Sequence, residues 1–259
     1  MLTTKKSINP YYYGVYQIMN RLLWDMKIES WLSRKKLRSL KDKYPEQKAV
    51  ILCNGPSLLK TDFSLLEGVF TFGLNKINLL FDKNNFRPSC VVAVNEFVIE
   101  QNAEYYNHTD IPIFINSIGR SLIKFRPNVT FLHHCAQYKF AQDCSISINT
   151  GPTVTFTALE LAFHMGFSEV ALVGCDHNFV TKGISNAIVL SEEKDENHFD
   201  PNYFAGGVRW QLPDIAASEC YYILANTIFT ENKRKVFNAT DGGKLEIFPR
   251  IALEEFLHG

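Results

Sequence analysis

"KAVILCNGPSLLK", residues 48–60, decides how the chain is read. An apolar run ends in Asn54-Gly55-Pro56-Ser57, and the apolar pattern resumes at Leu58. A short uninterrupted apolar run reads as a strand buried on both faces. The turn that closes it leaves backbone N–H groups and small side chains at a sheet's carboxyl edge, where a phosphate or nucleotide can sit. Asn, Gly and Pro also make ordinary turns, so this junction takes its meaning from the rest of the chain.

The pattern recurs. "VFTFGL" (69–74), "CVVAV" (90–94), "IPIFI" (111–115), "VTFL" (129–132) and "EVALVG" (169–174) read as further buried strands. Helices are expected near 57–66, 96–107, 152–166, 214–231 and 251–257; the run from Pro152 to Gly166 has the polarity of a helix, Pro at its start and Gly at its end. Strands alternating with helices predict an α/β fold, a mainly parallel sheet flanked by helices on both faces. We divide the chain into an N-terminal segment, 1–47, and a domain over 48–259 with a lid-like insertion at about 177–210.

Four of these strands run into asparagine: Asn54, Asn75, Asn95 and Asn116. An amide carries two donors and an acceptor without charge, which suits a base edge or a ribose hydroxyl. Asn also tolerates post-strand turns, so the recurrence carries the signal rather than any one residue. "INTGPTVTF" (148–156) then places Thr150 and Gly151 at a helix entry, where N–H groups and a hydroxyl can hold phosphate.

The 259 residues carry 27 basic and 27 acidic side chains, yet the balance is uneven. Residues 1–48 hold eleven Lys and Arg against four Asp and Glu, a surplus of seven, and the remainder carries the opposite surplus. A nucleic-acid footprint over the domain is excluded on that ground. Residues 11–43 mix Tyr11, Tyr12, Tyr13, Tyr16, Leu22, Leu23, Trp24 and Trp31 with Arg34, Lys35, Lys36 and Arg38, the pattern of a basic amphipathic helix that rests on an anionic membrane. The competing reading is a helix packed on the domain's own flank. Six scattered cysteines without a C-x-x-C pair indicate reduced thiols rather than a zinc site or disulfide framework. No 18-residue apolar run occurs. The expected setting is cytoplasmic, with peripheral contact on the inner membrane through residues 1–43; homo-oligomers are compatible with everything above.

In order along the chain, "VILCNGPSL", "FTFGLN", "VVAVN", "NTGPTVTFTALELAFHMGFSEVALVGCD" and "NHFDPNYF" resemble the bacterial sialyltransferases that use CMP-activated sugars. They also resemble the related Maf-type motility-associated glycosyltransferases and MptE-like pterin diphosphokinases. "FNATDGGKLEIFPR" (237–250) is similar to proteins of this wider group found in surface-polysaccharide biosynthesis. The resemblance covers roughly residues 48–250. It implies a Rossmann-like, GT-A-like nucleotide-binding domain that works without a metal in the sialyltransferase branch. By position it implies that Asn54, Gly55, Pro56 and Ser57 hold the nucleotide, with Asn75 and Asn95 near ribose and donor sugar and Thr150 and Gly151 also at the nucleotide. Asp176 falls in a Gly-x-Asp turn of the family and His198 aligns with the histidine that serves as general base, so Asp176, His177 and His198 are the expected catalytic residues. The sialyltransferases place tyrosines soon after that Asp to bind the leaving phosphate, whereas this chain reads "DHNFVTKG" (176–183). His177, Asn178, Thr181 and Lys182 are the candidate replacements, and Tyr203 is a further one.

The implied reaction is inverting transfer of a sialic-acid-like or other keto-sugar from a CMP donor to a glycan or lipid-linked glycan hydroxyl. A histidine suits removal of the acceptor proton, and preorganised donors suit the departing phosphate. No cofactor or metal is expected for such a donor, and the chain has no clean D-x-D motif. Under the alternative of an MptE-like diphosphokinase, ATP and Mg²⁺ are required, with Asp176, Asp195, Glu196 and Asp200 as the available carboxylates. A further alternative is a non-catalytic nucleotide-sugar-binding protein. His177 rivals His198 as the base; His133 and His134 read as local partners and His164 as core. Arg209 and Trp210 are offered to an acidic or glycan acceptor, against the simpler reading of a stacked surface pair.

Overall fold

The computed structural model describes residues 9–179 and 183–259. Two helices lead: α1 (Pro10–Asp25) and α2 (Ile28–Leu40). Seven parallel strands form the main sheet: β1 (Lys48–Leu52), β2 (Phe70–Leu74), β3 (Cys90–Ala93), β4 (Ile113–Asn116), β5 (Val129–Leu132), β6 (Glu169–Val173) and, after the insertion, β9 (Lys235–Asn238). A small antiparallel hairpin, β7 (Ile188–Leu190) with β8 (Arg209–Gln211), stands in the insertion. Between the strands lie α3 (Glu96–Gln101), α4 (Ala103–His108), α5 (Val154–Met165) and α6 (Ile215–Glu231), and α7 (Leu253–His258) ends the chain.

The sheet order is β5-β4-β3-β2-β1-β6-β9. The chain therefore builds outward from β1 to β5, then crosses to the other side of β1 to lay down β6. Strand order reverses between β1 and β6, and loops leaving those neighbours diverge to opposite faces and open a crevice. All six strands expected from the sequence are present. β9 and the hairpin were missed, β9 because "KVFN" is short and carries two polar residues in four, the hairpin because its strands are three residues long and exposed at both ends.

Both faces of the sheet are covered. In β1, Ala49 and Ile51 join one apolar cluster with Phe156, Leu159 and Phe163 of α5 and Phe229 of α6. Val50 and Leu52 join the other, with Leu58, Val98, Ile99, Tyr106 and Phe256. Two-sided burial is why these strands read as unbroken apolar runs. α5 is enclosed from Thr155 to Met165, and Gly166 closes it with φ +96°, a left-handed end that glycine adopts without strain.

The helix expected at 57–66 is instead two 3₁₀ turns, Pro56–Lys60 and Phe63–Leu66. Thr61 is extended between them, and Asp62 caps the second by accepting from Ser64 N–H at 3.0 Å. The expected 96–107 helix breaks at Asn102, whose amide reaches Asn78 at 2.9 Å. The single basic amphipathic helix expected over 11–43 is also two. α1 carries most of the aromatic residues and α2 most of the cations; α2 seats through Leu37, Ser30 and Ser33, and α1 through Trp24 alone. All six cysteines are free thiols. Among the described residues no helix is long and apolar enough to cross a membrane.

Candidate active site

A cavity of about 550 Å³ opens at the carboxyl edge, over the β1–β6 reversal. Asn54, Asn75, Asn95 and Asn116 all line it, as do Gly55, Thr150, Gly151, Asp176, His177, Asn178 and His198. Residues almost 150 positions apart in the chain thus share one chamber. Pro56, Ser57, Tyr203 and Arg209 do not line it.

The floor is built by two turns that interlock. After β1, Gly55 N–H donates to Gly174 O at 2.9 Å, joining the turn that follows β6. Asp176 Oδ2 accepts from Ser57 N–H at 3.1 Å and from the Ser57 hydroxyl at 2.8 Å. Ser57 and one Asp176 oxygen therefore hold the turn from behind. A Cβ at Gly55 would fall 1.9 Å from Asp176 Oδ2 and 2.7 Å from Gly174 O, so only glycine fits. Asn54 is thereby fixed at the rim, with Oδ1 buried and lacking a hydrogen-bond partner.

The other amides differ in how far they are committed. Asn75 has φ +48°, a conformation Asn tolerates better than most residues, and its Oδ1 is likewise buried without a partner. Asn95 caps α3 through Oδ1, which accepts from Phe97 and Val98 N–H at 3.0 and 3.3 Å. Asn116 accepts from Ile118 N–H and donates to Val94 O. Buried polar atoms are almost always paired, so these two enclosed oxygens are exceptions on residues that line the cavity; the Asn75 side chain lies against the buried Tyr203 hydroxyl.

The opposite wall is the start of α5. Thr153 caps it by accepting from Thr155 N–H at 3.3 Å, and Thr153, Val154 and Thr155 line the cavity. The helix's positive end therefore faces the chamber. Thr150 is positioned by His134, whose Nδ1 accepts from Thr150 N–H at 3.3 Å; burial lowers the pKa of this imidazole. Gly151, at φ +54°, donates to Asn149 Oδ1 at 2.7 Å. Underneath, fully buried Glu160 accepts from Ala141 N–H at 2.7 Å and from Asn149 N–H at 3.0 Å. Burial drives its carboxyl well above the ordinary range, against the pull of those N–H donors.

The insertion forms the roof. His198 Nδ1 lies 2.7 Å from Asp195 Oδ2, and the imidazole stacks on Tyr203 at 3.9 Å with the rings parallel to within 1°. Phe204 meets its edge at 5.3 Å. Burial works to raise the Asp195 carboxyl, but His198 and the N–H groups of Asn197 and Phe204 prevail and hold it below its usual range. A carboxylate at Nδ1 keeps that proton in place and leaves the Nε2 lone pair available. Tyr203 is thus a platform beneath the histidine, fully buried, rather than a phosphate ligand.

The roof is tied down at several points. Phe199 N–H donates to Asn54 O at 2.9 Å, Lys83 pairs with Asp200 at 2.6 Å, and Lys76 Nζ donates to Tyr203 O at 2.5 Å and Gln101 Oε1 at 2.8 Å. Burial lowers Lys76 to about 8, partly opposed by Asp195. Arg209 pairs with Glu100 at 3.3 Å on the outside, while its neighbour Trp210 lines the cavity. His177, at φ +50°, contacts Glu219 of α6 through Nε2 at 3.2 Å. Asp176, Asp195 and Asp200 each face a different partner, and no cluster of metal-ligating side chains is assembled among the described residues. Thr181 and Lys182 lie outside the described residues. Sequence reasoning missed the pairing of Asp195 with His198, although the Asp-x-x-His spacing was visible, and it missed Lys76 and Glu160, whose roles depend on burial.

Sheet, switch point and edge cavity together define a Rossmann-like α/β domain. The family model described as 6-hydroxymethylpterin diphosphokinase MptE-like matches residues 24–182, and the chain belongs to this MptE-like family. Among solved structures it is similar to the Maf glycosyltransferase from Magnetospirillum magneticum AMB-1, with a TM-score of 0.51 and 15% identity. The match covers 87% of this chain but 39% of that one, and at such identity the likeness is one of fold. No curated protein matches the chain. The MptE-like resemblance drawn from the sequence is upheld, as is the α/β fold, and the Maf-type likeness is one of fold.

Proposed function

We propose that this chain is an inverting glycosyltransferase that moves a sialic-acid-like or other keto-sugar from a CMP donor to a glycan hydroxyl in bacterial surface-polysaccharide or lipo-oligosaccharide synthesis. The observation that carries the reading is the Asp195–His198 pair roofing a cavity rimmed by uncharged amides. In this reading the amides of Asn54 and Asn75, whose Oδ1 atoms are buried without a partner, turn to accept from ribose hydroxyls or a base amino group. The α5 N-terminus and Thr150 receive the phosphate. His198 Nε2 takes the acceptor proton as the new C–O bond forms, and the bond to phosphate breaks with its electron pair leaving on CMP. Asp195 stabilises the imidazolium that results.

The test is binding of CMP, and its release from a panel of CMP-sugars, by purified protein. Neither binding nor release would end the proposal. His198→Ala should lower turnover far more than CMP affinity, and equal losses would remove the base assignment. A second reading, transfer of diphosphate to a pterin-like alcohol, is favoured by the description of the matching family. It is separated by assay: Mg²⁺-dependent AMP release from ATP supports it over sugar transfer.

A further inference from the structure

α1 is built the wrong way round for a helix that lies in water. At 3.6 residues per turn, Tyr11, Tyr12, Val15, Tyr16, Ile18, Met19, Leu22 and Leu23 form an apolar stripe roughly 160° wide. Every one of these residues is 49–83% exposed. The helix meets the body through its other side. Trp24 is buried there and stacks on His133 at 5.6 Å. Arg21 pairs with Asp25 at 2.8 Å and donates to Ile146 O, and Arg34 of α2 closes on Asp25 at 3.0 Å. The charged side is therefore satisfied by protein, while the apolar side is left largely exposed by the described residues. Monomeric proteins rarely expose a contiguous apolar surface of this kind without an occupant.

Two features choose the occupant. The stripe is rich in tyrosine, and Trp31 adds an exposed indole on the outward side of α2, opposite Ser30, Ser33 and Leu37. Amphipathic aromatic rings are the side chains that favour a membrane–water boundary. Lys27, Lys35 and Arg38 are exposed beside it and form no ion pair among the described residues. They belong to the segment that holds the chain's positive surplus, the remainder being acidic. A second copy would bring these cations against themselves, whereas an anionic lipid surface complements them and repels the acidic body. We propose that α1 and the outward side of α2 dock on an anionic membrane, α1 lying in the interfacial plane over its length of about 24 Å.

The experiment is co-sedimentation of the full chain with phosphatidylcholine vesicles with and without 30% phosphatidylglycerol (about 30% anionic lipid, enough to engage basic segments). Pelleting with the anionic vesicles is expected. Leu22→Glu/Leu23→Glu, on exposed positions and checked for folding by circular dichroism, should abolish it. Lys27→Gln, Lys35→Gln and Arg38→Gln should each weaken partitioning about fivefold. Equal pelleting of wild type and variants, or equal binding to uncharged vesicles, would overturn the proposal. So would a dimer in sedimentation equilibrium that the Leu22→Glu/Leu23→Glu change dissolves without any vesicle binding, since a second copy would then be the occupant.

Discussion

Replacing Gly55 by alanine tests the geometry on which the candidate site stands. The added methyl would lie 1.9 Å from Asp176 Oδ2, 2.7 Å from Gly174 O and 2.8 Å from Asp176 Cγ. Gly174 cannot retreat freely: it has φ +70°, and its own Cβ position is 2.9 Å from Leu58 Cβ. Relief therefore requires Asp176 to swing away, breaking both bonds from Ser57 at 3.1 and 2.8 Å. Hydrogen bonds to a charged group contribute about 1.5–3 kcal/mol each, so the loss should approach roughly 3–6 kcal/mol, a large fraction of a typical total of about 5–15 kcal/mol. Urea unfolding followed by circular dichroism measures it. Ser57→Ala, which removes the hydroxyl bond alone, should cost about 1.5–3 kcal/mol by the same measure. Because the turn presents Asn54, Gly55→Ala should also weaken nucleotide binding under conditions where the variant is still folded. A Gly55→Ala protein within about 0.5 kcal/mol of wild type, the range of innocuous surface changes, would show that the interlocked turns do not hold the edge as described.

Asp195→Asn should lower the rate of CMP release by about 10²-fold or more while leaving CMP affinity within twofold, since general-base assistance contributes about 10²–10⁴ in rate; equal losses in rate and affinity would refute the pairing as a proton-handling device. Acidification should loosen the N-terminal helical layer. Burial, aided by Arg21, lowers His133 from 6.5 to about 4, and burial also lowers His164, whose Nε2 lies 2.8 Å from Leu37 O. The unfolded chain binds more protons than the folded one between those values, so stability present above pH 6.5 is lost as pH falls toward 4. Urea midpoints at pH 7 and pH 5 should show the drop, and His133→Gln should shrink it; an unchanged slope would contradict this. Glu160→Gln should cost less than loss of the polar group, because burial works against the charge and the remaining amide oxygen can still accept from Ala141 and Asn149 N–H. Glu160→Leu should cost about 2–5 kcal/mol by stranding Ala141 and Asn149 N–H. Equal midpoints for the two variants would refute the role given to those bonds.

The strands, their parallel arrangement and the edge that carries the cavity could be read from residues 48–60 and the repeats that follow. A strand buried on both faces must be apolar throughout, and a turn at a carboxyl edge needs small, flexible or amide residues. Local chemistry of that kind is written in adjacent positions, which is why Asn54, Asn75, Asn95 and Asn116 were identifiable as a set. What each of them does was not. Asn95 and Asn116 spend their oxygens on backbone N–H groups, while Asn54 and Asn75 keep theirs, and that division depends on which chain segment lies above each turn. Asp176 looked like a reacting group and is bound to Ser57, 119 positions away; Tyr203 looked like a phosphate ligand and is the shelf under His198. Glu160 drew no reading from the sequence and is fully buried beneath the Thr150 turn. The N-terminal segment shows the same limit: its residues announce an amphipathic surface, but which side of α1 faces the body was settled by Arg21, Asp25 and Arg34 meeting across the helix break. Sequence fixes what a residue can offer a neighbour. Only the packing of distant segments determines which neighbour claims it and which groups are left open to a ligand.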